Sequence, residues 1–226
     1  MHKREGMYLH FADGLVIDLS KERIQHLADE YWANPDKLPL HIRQDDAFKT
    51  CEICPLGGEN VLCCAIKPLL PFLEEMDRFY SYDQVTAIYV KKEGLQYVSE
   101  TTVQNALQYV TNMSIFEYCE GAKRYYIYFQ GIEPFMDIIE ARSRLLMNIY
   151  WLKKGDLDKV HSLLNEMRHD LTAISKNCIK RLRLLSKSDA FMNAYVRTQI
   201  LTEVLVFDIN AILEKYFKGK EDSEIS

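Results

Sequence analysis

The residues best suited to chemistry in this chain are its six cysteines. Cys51-Glu52-Ile53-Cys54 is a Cys-x-x-Cys, followed by Pro55 and by Gly57-Gly58. Cys63-Cys64 begins nine residues after Cys54, and Cys119 and Cys178 lie far downstream. A Cys-x-x-Cys turn can aim two thiolates at one ion, and a soft divalent metal then needs two further ligands to close a tetrahedron. Cys63 or Cys64 is near enough in sequence to be the third, and Cys119, brought in by the fold, could be the fourth. Zinc is the preferred ion because it needs no redox tuning and closes well with four sulfurs. An iron–sulfur cluster, which also takes four thiolates, is the alternative. Pro55 and the two glycines suit a tight ligand-bearing turn better than a helix interior.

Two other readings of the same residues stay open. Reduced cysteines pack as small hydrophobes, so the set could be thiols tucked under a loop. A redox Cys-x-x-Cys is the third reading, but it normally opens a helix after a strand, and here no strand clearly precedes and Pro55, Gly57 and Gly58 follow. Cys178 falls on the apolar stripe of a long helix and reads as core.

The remaining candidates are weaker. His161 and His169 are eight residues apart on one predicted helix, about 12 Å by helix rise, too far to share an ion unaided. His41, upstream of the Cys-x-x-Cys, is a reserve ligand, and His10 reads as structural. Asp45-Asp46 and Glu74-Glu75-Met76-Asp77 are acidic groups whose adjacency does not imply a cleft, so they read as solvated. Lys176, Lys180, Arg181, Arg183 and Lys187 form a basic stretch on one helix that could meet a phosphate backbone. The aromatic clusters at 79–82 and 125–129 read as packing between the two parts of the chain, or as a surface for a partner. No Gly-rich phosphate loop, GxSxG elbow or HExxH is present, which argues against the common ATPase, hydrolase and zinc-protease templates.

These residues must be carried by an α+β scaffold. Met7–Phe11, the turn signal Ala12-Asp13-Gly14 and Leu15–Leu19 predict a hairpin, with Ser20 able to cap a helix that stops near Asn34-Pro35. The spacing after Cys64 predicts a helix with Pro68 and Pro71 near its first turns. Val85–Val90 and Leu95–Ser99 predict a second hairpin, and Thr101 or Thr102 the start of a helix. Tyr125–Phe129 reads as a strand or an apolar loop. After Pro134, apolar residues at three- and four-residue spacing predict an antiparallel bundle of three long helices. The first ends at Lys153-Lys154-Gly155, the second is capped by Asp156, and the third starts at Ser188 or Asp189. The expected organisation is an α+β part over 1–130 with N-terminal hairpins, short helices and the cysteines, a helical part over 131–218, and a polar tail over 219–226.

Composition agrees with a folded protein. In 226 residues, 48% are hydrophobic and the formal net charge is −5; that supports a core and excludes intrinsic disorder. Nine glycines and six prolines exclude collagen-like or low-complexity sequence. Residues 1–130 hold 13 basic and 19 acidic groups, and residues 131–226 hold 15 and 14. No global attraction to nucleic acid or to an anionic membrane follows, so nucleic acid is a disfavoured partner. No apolar targeting segment follows Met1-His2-Lys3-Arg4, and no apolar run is long enough for a membrane span, so the expected compartment is the cytoplasm. There, cysteines serve as metal ligands, redox groups or buried thiols more often than as disulfides.

Around the Cys-x-x-Cys the chain resembles an uncharacterised bacterial family. The matching pieces are Phe11-Ala12-Asp13-Gly14, Leu38-Pro39, Cys51-Glu52-Ile53-Cys54-Pro55-Leu56, Cys63 or Cys64, and Cys119. Members of that family have a helical C-terminal half and later single cysteines each followed by proline, a proline that Cys63, Cys64 and Cys119 lack here. The resemblance implies a ligand role for these cysteines and no activity. The expectation is a non-enzymatic protein with a cysteine-ligated structural metal and a helical half that self-associates or binds a protein partner. A thiol- or metal-based sensor and a nucleic-acid module using the basic helix are the alternatives.

Overall fold

The first hairpin forms where the turn signal places it. Strands β1 (Gly6–His10) and β2 (Val16–Ser20) pair antiparallel, with Leu9 opposite Ile17. Gly14 takes φ 88° in the turn, and the Asp13 carboxylate accepts from the Leu15 N–H at 3.0 Å. A left-handed φ suits glycine, which has no Cβ to clash. The structure is a computed structural model that describes residues 4–34, 38, 40, 42, 45, 48–57 and 62–200.

Strands β3 (Gln84–Val90) and β4 (Gln96–Thr102) make the second hairpin. β1 also pairs antiparallel with β3, which gives a four-stranded sheet in the order β2-β1-β3-β4. Side chains alternate across a strand. Met7, Leu9, Ile17, Leu19, Val85 and Ala87 therefore share one face and are buried. Helix α1 (Lys21–Ala33) follows β2 directly. The Ser20 side chain makes no cap bond to it; the hydroxyl serves Tyr8 instead, and the residue is buried.

The helix expected after Cys64 is broken into short turns at 64–66 and 70–72 and the single α-turn α2 (Leu73–Met76). Pro68 and Pro71 each lack a backbone N–H, so a continuous ladder cannot form through them. Helix α3 (Val103–Met113) then lays Val103, Ala106, Leu107 and Val110 into the core and runs into a π-helical turn at Ser114–Tyr118. Residues 123–129 form a 3-10 helix, neither strand nor loop.

Two long helices of the C-terminal part are present: α4 (Ile138–Leu152) and α5 (Leu157–Leu185). Asp137 caps α4 through the Ile139 and Glu140 N–H groups at 2.8 Å, and Asp156 caps α5 through Lys159 N at 3.1 Å. Residues 190–200 are helical, and the Ser188 hydroxyl accepts from Ala190 N at 3.1 Å. The rest of the third expected helix and the expected tail lie outside the described residues, so the expected three-helix bundle is not established. One buried cluster extends from Met7 to Tyr195. Among the described residues no helix is long and apolar enough to cross a membrane.

Candidate metal centre

The base of the cysteine loop is pinned by two backbone contacts. Lys49 and Leu62 form an antiparallel bridge, and Cys63 N donates to Phe48 O at 2.8 Å. Cys51 and Cys63 thus lie close to the same bridge, on its two opposed segments. Between them the Cys-x-x-Cys folds into successive tight turns, with Cys54 N donating to Cys51 O at 2.9 Å and Gly57 N to Cys54 O at 3.2 Å. The turn expected from Pro55 and the glycines is present.

Cys119 arrives from the other side. It ends the π-helical turn, and its N–H donates to Ser114 O at 3.0 Å. Ser114 is fully buried; its hydroxyl donates to Ala65 O and is hydrogen-bonded to the Tyr195 hydroxyl. That one side chain ties the turn after Cys63-Cys64 to the turn before Cys119. A π-turn widens the helix by one residue and is frequent at functional positions. The next link is steric: a Cβ on Gly121 would stand 3.1 Å from Ile53 O, so the Cys-x-x-Cys lies against the Cys119 segment.

The electrostatics describe the resulting neighbourhood. Cys63 feels Cys51 and Cys64, Cys119 feels Cys63 and Cys51, and Cys64 feels Cys54. Cys51, Cys63 and Cys119, from three separate segments, therefore lie within electrostatic range of one another. Cys178, read as core, is buried as expected, but it is also within electrostatic range of Cys63 and Cys119. No spacing in the sequence signals that role, because an apolar stripe explains the residue completely. All six cysteines are free thiols.

Burial raises the Cys63, Cys64 and Cys178 thiols, and pushes Cys119 up to about 12. Desolvation penalises the charged form, so these are neutral thiols near pH 7. Groups that favour thiolate stand against that effect. They are the Arg181 guanidinium and the Ala65 backbone at Cys63, and the Ala122 and Gly121 backbone at Cys119. These partners carry no recognisable sequence signal.

Among the described residues, no three His, Cys, Asp or Glu side chains form a group that could hold a metal ion. The thiols gather without forming a closed ligand set. His161 and His169 lie on α5, and His169 Nδ1 contacts Asp170 at 3.0 Å. His41 and Asp46 fall outside the described residues. Glu52 walls an open cleft of about 600 Å³ against Arg168, His169, Thr172, Lys176 and Asn177, so solvent reaches the Cys-x-x-Cys turn.

The basic stretch divides. Lys176, Lys180, Arg183 and Lys187 are exposed, whereas Arg181 is 2% exposed and donates to Lys49 O at 2.6 Å. Arg181 belongs to the core side of α5, one helical turn from Cys178, and the expected five-cation face loses its central member. Asp77, expected in solvent, instead accepts from Lys187 N at 2.9 Å and Ser188 N at 3.3 Å. It holds the link between α5 and the final helix.

A family described as a domain of unknown function, DUF6901, matches residues 26–219, most of the chain, and the protein belongs to that family. Membership of an uncharacterised family is what the resemblance implied; the match itself does not speak to the Cys-x-x-Cys-Pro-Leu motif. No curated protein and no solved structure matches the chain.

Proposed function

We propose that this DUF6901 protein is a non-enzymatic module in which Cys51, Cys54, Cys63 and Cys119 hold a structural metal, zinc foremost, with Cys64 the alternative third ligand. The observation that carries this reading is the Cys-x-x-Cys turn lying against the Cys119 segment at Ile53 and Gly121, with Cys63 at the base of the same loop. The donor chemistry fits: the sulfurs are soft, and backbone groups at Cys63 and Cys119 favour their thiolate forms. Binding requires the Cys-x-x-Cys turn to close on the other two sulfurs, since the thiols do not stand as a ligand set. A bound divalent cation displaces thiol protons outright, which overcomes the effect of burial. The ion would tie the 51–57 turn to the π-turn and, through the Arg181 contact, to α5.

The helical part would serve self-association. Met147 and Trp151 lie four residues apart on α4, so they share one helix face, and both are exposed, Trp151 by 75%. Light scattering that returns a single 26.5 kDa particle at micromolar concentration would remove this part.

Elemental analysis of the full chain purified without oxygen or chelator, with a UV–visible spectrum, tests the metal. One zinc per chain in a colourless sample is expected, lost in Cys51→Ser and Cys119→Ser. A brown sample with iron would replace zinc by an iron–sulfur cluster. Metal-free protein would leave buried thiols, and a change of oligomeric state under mild oxidant would then favour the sensor alternative.

A further inference from the structure

Beside the π-turn lies a cavity of about 160 Å³, lined by Glu5 before β1, Lys21 at the start of α1, and residues of β3, α3 and the π-turn. Five aromatic side chains, Tyr89, Tyr109, Phe116, Tyr126 and Phe129, are among its lining residues. The Tyr89 and Tyr109 rings stand 5.7 Å apart at 51°, and the Phe116 and Phe129 rings 4.2 Å apart at 33°. Tyr126 sits at the mouth, 47% exposed. The formal charges at the cavity are Glu5, Lys21 and Glu117. Lys21 Nζ pairs with Glu117 at 2.9 Å, and among the described residues Glu5 forms no ion pair. One carboxylate is thus in surplus.

We infer that this cavity is a binding site for a small organic ammonium ion, held by the faces of Tyr89, Tyr109, Phe116 and Tyr126 and by the Glu5 carboxylate. Aromatic faces carry negative potential and attract cations, most strongly where water is displaced. Lys21 does not use that potential, since its ammonium is engaged by Glu117. Burial, foremost, and the nearby carboxylates raise the Tyr89 and Tyr109 phenols, so neither adds nor removes charge near neutral pH. A neutral or anionic ligand would leave the net negative charge of Glu5, Lys21 and Glu117 unbalanced. The volume is enough for a small ligand: a cavity of roughly 150 Å³ accepts benzene, so about six to eight heavy atoms can enter. The inference does not rest on the metal reading. Both sites share only the Ser114–Tyr118 turn, which carries Phe116 and Glu117 and ends at Cys119.

Choline and its neutral isostere 3,3-dimethylbutan-1-ol probe the site by isothermal titration calorimetry of the full chain. Choline should saturate one site and bind at least about tenfold more tightly than the isostere. Glu5→Gln and Tyr126→Ala should each weaken choline several-fold, with circular dichroism unchanged; Tyr126 is exposed enough for that variant to keep the fold even if the first does not. Equal binding of the two probes would overturn the inference. So would the absence of any choline binding at roughly 10 mM, ten times a weak millimolar dissociation constant.

Discussion

Gly121→Ala sets two opposed effects against each other. Gly121 is not in the left-handed region, so alanine fits its backbone, and shrinking the unfolded ensemble should stabilise the protein by about 0.4–1 kcal/mol. The new Cβ, however, would stand 3.1 Å from Ile53 O, closer than ordinary van der Waals contact by a few tenths of an ångström. The oxygen it meets is backbone, in a turn held by the Cys54–Cys51 and Gly57–Cys54 hydrogen bonds. It cannot rotate away as a side chain would. Overpacking of this kind costs about 1–3 kcal/mol. Strain wins, and a net loss of about 1–2 kcal/mol is expected by urea unfolding of the metal-free protein. Pushing the Cys-x-x-Cys off the Cys119 segment should also lower metal retention. A variant more stable than the parent, with metal content unchanged, would refute the placement of the turn against Cys119.

Asp170→Ala removes the acceptor for the Tyr125 hydroxyl at 2.8 Å and for Arg124, and should cost about 1–3 kcal/mol by thermal unfolding; the half-exposed Arg124 adds little to that. Burial alone would raise the Asp170 carboxyl, but bonds from His169, Tyr125 and Arg124 outweigh it and lower it below its ordinary 3.8. Its contribution is therefore present above pH 3.8 and lost as pH falls below, so the variant and parent should converge in acid. In the metal-free protein, Cys119 is raised from 9.0 to about 12, so its neutral form stabilises the fold fully below pH 9 and progressively less toward pH 12. Melting temperature should fall across that window, and a flat profile would contradict the burial of the sulfur. Asp77→Ala frees the Lys187 and Ser188 N–H groups and should cost about 0.5–2 kcal/mol, as loss of a helix cap does.

Elements with local signals were readable in the sequence. Asp13-Gly14 specified the first hairpin because only such residues relieve the turn, and Asp156 was legible as a cap because its carboxylate reaches the first free N–H groups. The helix predicted after Cys64 breaks up because Pro68 and Pro71 remove ladder donors, which apolar spacing does not register. Ser20 looks like a cap until Tyr8 claims its hydroxyl, a tertiary contact invisible along the chain. In the thiol neighbourhood, the approach of Cys51, Cys63 and Cys119 was foreseeable only as a possibility, since no spacing fixes it. Cys178 and Arg181 were hidden by regular helical periodicity, which assigns a face but not a neighbour. Four of the five cations kept their exposed side, whereas Arg181 sits one turn from Cys178 on the core side.

Zinc K-edge X-ray absorption on the anaerobically purified full chain tests the central claim most directly, because it counts ligand atoms as well as metal. The expected result is a single shell of four sulfurs at about 2.3 Å. An absence of zinc, or a shell of oxygen and nitrogen at about 2.0–2.2 Å, would contradict a thiolate-held ion joining the Cys-x-x-Cys turn to Cys119.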